Sequence, residues 1–478
     1  MKKLATSLSL IIAVFQFINA QEIVSSTFLI SYDLEYFTEE LEITFSNNGV
    51  DLYRVNYTTT NLEGALDTAS GLVCIPKIEG YNLPLVSYGH GTVGSRYEVP
   101  SYLSPEHTLP SIYASIGTVC VSPDYLGLGD NKGIHPYVHA DSEASASYDL
   151  IIAVEDFLEN DMDIKLNGQL FITGYSQGGH SAMALHRYIE TETDIEVTAS
   201  MPMSGPYSIS TGMKDLLISN EEYGYVSYLV STAVSYQEVY GNIFPNNDLT
   251  QFFKQPYADI IQGYLDLESD LFILNTQLIS ALINNEGGSF PKKMIFDDIV
   301  TDILADDNHP VNVALRDNDV YDWAPKSETR LLYCQADDQV AFENSIIARD
   351  KMHENGADQV MAIDLNSDFD HTECVTPAAT TFVFYLLVFA NPTSDNNLAQ
   401  VHFNLFPNPT SDGFQIHLKE SIKDFNVEIY TMSGIQKMKI TNLSSGDYIN
   451  TDLEAGIYVV LLKDRDGQLL GFQRIVVN

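Results

Sequence analysis

The stretch Leu170 to Glu190 reads LFITGYSQGGHSAMALHRYIE. An apolar, β-branched run passes through a glycine-rich turn straight into a helical pattern. Ser176 sits on that turn, in Gly174-Tyr175-Ser176-Gln177-Gly178. A serine that must stand clear of its surroundings needs a sharp strand-to-helix turn. Only small residues fit two positions before and after it. A strand that leads at once into a helix also commits the chain to strands alternating with helices.

The flanking sequence has that alternation. YRVNYTTT, ASGLVCIP, LPLVSYGHG and IGTVCVSPDYLGLGD are short β-branched and aromatic runs cut by Gly, Pro and Asn, and read as strands. ASASYDLIIAVEDFLEN reads as an amphipathic helix with Ile151, Val154, Phe157 and Leu158 on one side. TASMPMSG is strand-like. The pattern predicts a mostly parallel sheet with helices on both faces. From about 207 to 326 it gives way to helical, Tyr- and Phe-rich runs, read as a mainly helical insertion or cap. Alternation resumes at RLLYCQADDQV and continues through SIIARDKMHENG and QVMAIDL.

Lys2 and Lys3, the apolar LSLIIAVFQF and the small Ala20 predict an export signal over residues 1–20. No other apolar run reads as a transmembrane segment. The main unit spans 21–395 and a polar linker 396–402. Residues 403–478 show alternating strands with Gly and Asn/Asp turns, a small all-β, sandwich-like domain. The net charge is -41, and residues 403–478 hold 7 basic and 9 acidic side chains. The acidity therefore lies in the body of the chain, which repels nucleic acid and anionic membrane surfaces. Four cysteines, Cys74, Cys120, Cys334 and Cys374, permit three complete pairings. None has zinc spacing, so neither a metal nor another cofactor is expected.

A nucleophilic Ser176 needs oxyanion donors, a base and a carboxylate. The Gln177 amide would lie at a helix N-terminus, where it can face developing negative charge. The loop SYGHGTVG after LPLVS supplies a second donor, with Thr92 the candidate. Asp337 and Asp338 sit together at a strand end, and only one can reach a histidine. His371 follows the strand QVMAIDL in NSDFDHTEC, in the loop before a helix. The order Ser, Asp, His is the one that this kind of sheet uses.

GYSQGG, YGHGT, ADDQV and DHTEC, in this order, resemble the α/β-hydrolase superfamily. PDYLGLG and HPYVHADSEASASYDLIIA resemble its exported lipase and esterase branch, which includes the fungal secretory lipases. The resemblance covers roughly 53–390. It implies Ser176 as nucleophile, His371 as base, Thr92 and Gln177 as the oxyanion hole, and Gly174 and Gly178 as elbow glycines. The usual Gly-x-x-Asp-x-x-Val-Pro ending of the acid strand aligns here with Cys334 to Ala341 and selects Asp337, with Cys334 for Gly and Ala341 for Pro. Asp124, His135 and His180 read as scaffold. A disulfide between Cys334 and Cys374 would staple the acid and base loops.

FNLFPNPTSDGFQIHL, VEIYTMSGIQ and LEAGIYVVLLKDRDGQLLGFQRIVVN resemble the C-terminal sorting domain of the Bacteroidetes type IX secretion system. That implies secretion machinery as a partner, and a protein that is released or attached to the outer cell surface. The expected activity is serine hydrolysis of small-molecule or lipid carboxylic esters. A prolyl-type serine peptidase and a non-catalytic surface binding protein are the alternatives.

Overall fold

The structure is a computed structural model that describes residues 21–267, 269–393, 403–418, 423–431, 435–465 and 469–478. The expected signal and the 396–402 linker lie outside these residues. Nine strands form one sheet: β1 Ile23–Tyr32, β2 Val50–Thr60, β3 Leu66–Pro76, β4 Leu83–Gly89, β5 Val119–Pro123, β6 Leu166–Tyr175, β7 Ala199–Met203, β8 Glu328–Tyr333 and β9 Met361–Asp364. Their order is β1-β2-β3-β5-β4-β6-β7-β8-β9. From β5 to β9 every neighbouring pair is parallel, while β1, β2 and β3 add an antiparallel edge. The sheet is thus mixed, with its parallel half carrying Ser176.

Every residue of β4, β5 and β7 is buried, as parallel strands covered on both faces require. Period-2 alternation sends neighbours to opposite faces. Val86, Tyr88 and Phe171 join one core, and Leu85 and Ile172 join another. Helix α1 (Thr108–Ser115) packs into the first core. Helices α2 (Ala140–Asp161) and α3 (Gln177–Glu192) cover the second through Leu150, Val154, Leu185 and Ile189.

Between β7 and β8 come α4 (Lys214–Leu217), α5 (Ser227–Tyr240), α6 (Tyr257–Leu267), α7 (Leu271–Glu286), α8 (Asp297–Ala305) and α9 (Pro310–Asp317). They share a core of their own that includes Val230, Tyr236, Phe253, Tyr257 and Leu278. Helices α10 (Glu343–Glu354) and α11 (His371–Phe389) complete the layers. By length and composition α11 could span a bilayer, a run that inspection of the sequence passes over. In the fold its apolar residues Phe382, Val383, Phe384, Leu386 and Leu387 are core.

The C-terminal strands are β10 Phe403–Phe406, β11 Gly413–Leu418, β12 Lys423–Thr431, β13 Gln436–Ser444, β14 Tyr448–Asn450, β15 Gly456–Lys463 and β16 Leu469–Val477. They form sheets β10-β11-β14 and β13-β12-β15-β16, with antiparallel pairing throughout. Strand β15 is buried on both sides. Tyr458, Val460 and Leu462 face the core between the two sheets, while Val459 and Leu461 join the core of the main unit. Tyr430 meets Phe384 of α11 at 4.9 Å between ring centroids, and the Arg474 guanidinium lies over the Phe389 ring. Lys463 is buried, pairs with Glu428 at 2.9 Å and donates to the Thr44 carbonyl.

Because alternate residues of β15 serve different cores, they separate by mutation. Leu461→Asp is expected to loosen the docking by about 3 kcal/mol while sparing the small domain's own core. Calorimetry of the full chain should then resolve two transitions where wild type shows coupled unfolding. Leu462→Asp, which faces inward, should instead unfold the small domain.

Candidate active site

Strand β6 ends at Tyr175 and α3 begins at Gln177, which leaves Ser176 alone on the turn with φ 60° and ψ -122°. A left-handed φ on a side chain other than glycine costs about 1–3 kcal/mol, so surrounding contacts must enforce it. The Ser176 amide donates to the Met203 carbonyl at 3.0 Å, and the Gly179 amide donates to the Ser176 carbonyl at 2.8 Å. Close packing does the rest. A Cβ on Gly178 would lie 1.9 Å from the Gly89 carbonyl oxygen, and one on Gly174 would lie 2.2 Å from the Gly178 carbonyl oxygen.

Asp337 follows β8. Its Oδ1 accepts from the amides of Gln339 (3.0 Å) and Val340 (2.8 Å), and its Oδ2 accepts from His371 Nδ1–H at 2.7 Å. With Nδ1 donating to the carboxylate, Nε2 is the ring atom left to accept a proton. Both side chains are buried. Asp338 takes a different place: its Oδ1 accepts from the His371 main-chain amide at 3.3 Å. His371 does not precede the helix as read from the sequence but is its first residue. Asp370 is the N-cap, in a capping box with Glu373. The Tyr175 hydroxyl donates to the His371 carbonyl at 2.5 Å, which ties the residue before Ser176 to the histidine. A disulfide joins Cys334, just after β8, to Cys374 in the first turn of α11. Cys74 and Cys120 are buried thiols facing each other across β3 and β5.

The loop after β4 abuts the same turn, since a Cβ on Gly91 would lie 3.9 Å from Ser176 Cβ. The Gly91 amide donates to Glu106 at 3.3 Å. Thr92 Oγ1 and the Tyr137 hydroxyl are hydrogen-bonded at 2.9 Å. Neither the Thr92 nor the Gln177 main-chain amide has a hydrogen-bond partner among the described residues. Gln177 also opens α3, where the first N–H groups have no intrahelical acceptor.

Of three residues expected to be scaffold around this turn, Asp124 and His180 are buried and His135 is half-buried. Asp124 accepts from the hydroxyls of Ser70 (2.6 Å) and Ser101 (2.5 Å), and burial raises its pKa. His135 Nδ1–H donates to the Leu126 carbonyl at 2.8 Å, and its bare Nε2 accepts from Gln177 Nε2 at 2.7 Å. Burial lowers the His135 pKa to about 4, so the ring is neutral near pH 7. His180 pairs with Glu143, a partner that no motif announced.

Ser176 and Gln177 open onto a pocket of about 930 Å³, open mouth included. Its walls are almost wholly apolar: Ile209, Leu229, Tyr236, Phe252, Ile303 and Leu315. Among the described residues no three His, Cys, Asp or Glu side chains converge as a metal would need.

Solved structures share this architecture. The rice cell wall degrading esterase LipA from Xanthomonas oryzae is 27% identical, with a TM-score of 0.65 over 76% of this chain and 97% of that one. A putative hydrolase from Legionella pneumophila has 24% identity and a TM-score of 0.67 over 76% and 97%. Candida antarctica lipase A, at 13% identity and a TM-score of 0.54 over 73% and 77%, shares the fold. Residues 404–478 match the secretion system C-terminal sorting domain. No curated protein sequence matches the chain. The chain belongs to the α/β-hydrolase superfamily. In this hydrolase the disulfide spans the two segments that hold Asp337 and His371.

Cys334→Ser with Cys374→Ser is therefore expected to lower the stability of the hydrolase by about 2–4 kcal/mol, read as a drop in denaturant midpoint. Acid should act through His135. Its unfolded pKa lies near 6.5 and its folded pKa near 4. The unfolded chain therefore binds the extra proton between these values, and stability falls as pH drops from about 6.5 to 4. His135→Asn should flatten that part of a stability-against-pH curve.

Proposed function

We propose that the protein is an exported serine hydrolase of carboxylic esters, an esterase or lipase that works through Ser176, His371 and Asp337. The observation that carries this reading is the His371–Asp337 hydrogen bond, tied through Tyr175 to a left-handed Ser176 that lines an apolar pocket. The likeness to a LipA-type esterase supports it.

In this reading Ser176 Oγ attacks the ester carbonyl carbon while His371 Nε2 takes its proton. Asp337 already accepts from Nδ1–H and stabilises the imidazolium that forms. The oxygen that gains charge is met by the Thr92 and Gln177 amides, the latter reinforced by the α3 dipole. His371 returns its proton to the departing alkoxide. It then deprotonates a water that attacks the acyl-enzyme, and Ser176 is regenerated with release of the carboxylic acid. No step needs a cofactor.

The pocket under the cap suits an apolar acyl chain. One charged side chain, Lys214, lines it, and that ammonium donates to Asn312. Among the described residues no carboxylate lines the pocket, so nothing there would pair with the amino terminus of a peptide, and the ester reading is preferred to the peptidase one. The C-terminal domain supports export through the type IX system, followed by release or attachment at the outer surface.

The test is hydrolysis of p-nitrophenyl butyrate and palmitate by the chain without its signal. Ser176→Ala is expected to lower kcat by about 10⁴-fold or more on both. Leu315→Trp, in the pocket wall formed by α9, is expected to lower kcat/KM for palmitate about tenfold more than for butyrate. Wild-type rates in Ser176→Ala would sink the reading.

A further inference from the structure

A buried polar chain lies behind Gln177 and has no part in the acyl-transfer steps. Gln177 Nε2 has two hydrogens, and both are used: one goes to His135 Nε2 at 2.7 Å, the other to Glu143 Oε1 at 2.9 Å. Glu143 Oε2 meets His180 Nδ1 at 2.6 Å, and His180 Nε2 meets the Asn318 carbonyl at 2.9 Å. A carbonyl only accepts, so Nε2 carries a hydrogen, and one further proton is shared between Glu143 and His180. Their side chains are 1% and 0% exposed.

We propose that Glu143 and His180 are positioning residues for the reaction at Ser176, which clamp Gln177 at the start of α3 and link it to the cap through Asn318. The proposal rests on the ester-hydrolase reading above.

The spacing supports a clamp. His180 stands three residues after Gln177 on α3, so both side chains lie on one helix face. Glu143 stands three residues after Ala140, which opens α2. One carboxylate thus bridges the first turn of α2 to the first turn of α3, with one oxygen for each partner. The first turn of a helix frays most easily, and here it also bears the amide assigned to the oxyanion. A side chain anchored at two points holds that amide in place before substrate arrives, which is what preorganised charge stabilisation requires.

Asn318 supplies the link to the cap. It follows α9, and its Oδ1 accepts from the Ala140 amide at 2.8 Å. Its Nδ2 donates to the hydroxyl of Tyr240, at the end of α5, at 2.8 Å and to the Ala314 carbonyl at 2.9 Å. Two cap helices and the start of α2 therefore meet on one residue whose carbonyl holds His180. Breaking the pair would leave a buried charge or donor unmatched, so the arrangement moves as a unit or not at all.

The test uses the chain without its signal, with rates normalised by active-site titration. Glu143→Ala is expected to lower kcat per titrated site about 100-fold, with KM within about threefold. The inhibition constant for butylboronic acid, which mimics the tetrahedral intermediate, should rise by a similar factor. Glu143→Gln keeps one acceptor for Gln177 and one donor for a neutral His180, and should restore most of the rate. Asn318→Ala, at the cap end, should lower kcat about tenfold with KM unchanged. Combined with Glu143→Ala it should cost less than the product of the two separate effects.

A smaller titratable fraction with wild-type kcat per site and wild-type boronate affinity in Glu143→Ala would mark a purely structural role and overturn the proposal. If Glu143→Ala does not fold, Asn318→Ala decides: wild-type kcat and boronate affinity there overturn the proposal. Either result beside an inactive Ser176→Ala leaves the ester reading standing, whereas an active Ser176→Ala removes both.

Discussion

The approach of Gly178 to the end of β4 is the constraint on which the rest of the site depends. A methyl group there would sit 1.9 Å from the Gly89 carbonyl oxygen. With no side chain in the way, α3 can start immediately after β6 and point its N-terminus at the loop after β4. Ser176 is then forced into a left-handed conformation that it would not choose alone. The β4 loop, the serine and the first turn of α3 become parts of one small volume. Every group proposed to act on an ester is referenced to that volume.

Around it the protein buries polar groups that must all be matched. Asp124, Glu143, His180 and His371 are buried, as is the Asp337 side chain, and His135 is half-buried; each has a partner at hydrogen-bond distance. An unmatched member would cost several kcal/mol, while a matched one admits few geometries. The network therefore trades stability for a defined arrangement. The cap shares in it: the Tyr223 and Tyr228 hydroxyls donate to the main-chain and side-chain oxygens of Gln339, two residues beyond Asp337.

Much of this was legible in the sequence because it is local. The Gly-x-Ser-x-Gly run, the loop GHGT, the pair Asp337-Asp338 and the helix-opening DHTE are short patterns set by backbone geometry. The residues alone leave Asp337 and Asp338 open and the resemblance selects Asp337; in the structure Asp337 meets the ring and Asp338 the His371 backbone amide. Glu143 and Asn318 were not legible. Their partners Gln177 and Ala140 lie 34 and 178 residues away, and a glutamate on a helix reads as solvated until packing buries it. A helix after His371 was expected from the sequence; that His371 itself opens it, capped by Asp370 and Glu373, was not.

The C-terminal strand GIYVVLLK carries its own signal of what surrounds it. A strand with one face in water alternates, whereas an unbroken apolar run requires cover on both faces. A two-sheet domain can cover one face of β15 with its own second sheet, as Val460 and Leu462 show. Val459 and Leu461 need something else, and α11 with the neighbouring main-unit core supplies it. Lys463 continues the same outward face and stays buried beside Glu428, where a lysine would be costly without that partner and the Thr44 carbonyl. An address label needs only to be tethered. This one is packed as part of the protein, so that the face of β15 bearing Val459 and Leu461 meets water only when the small domain undocks.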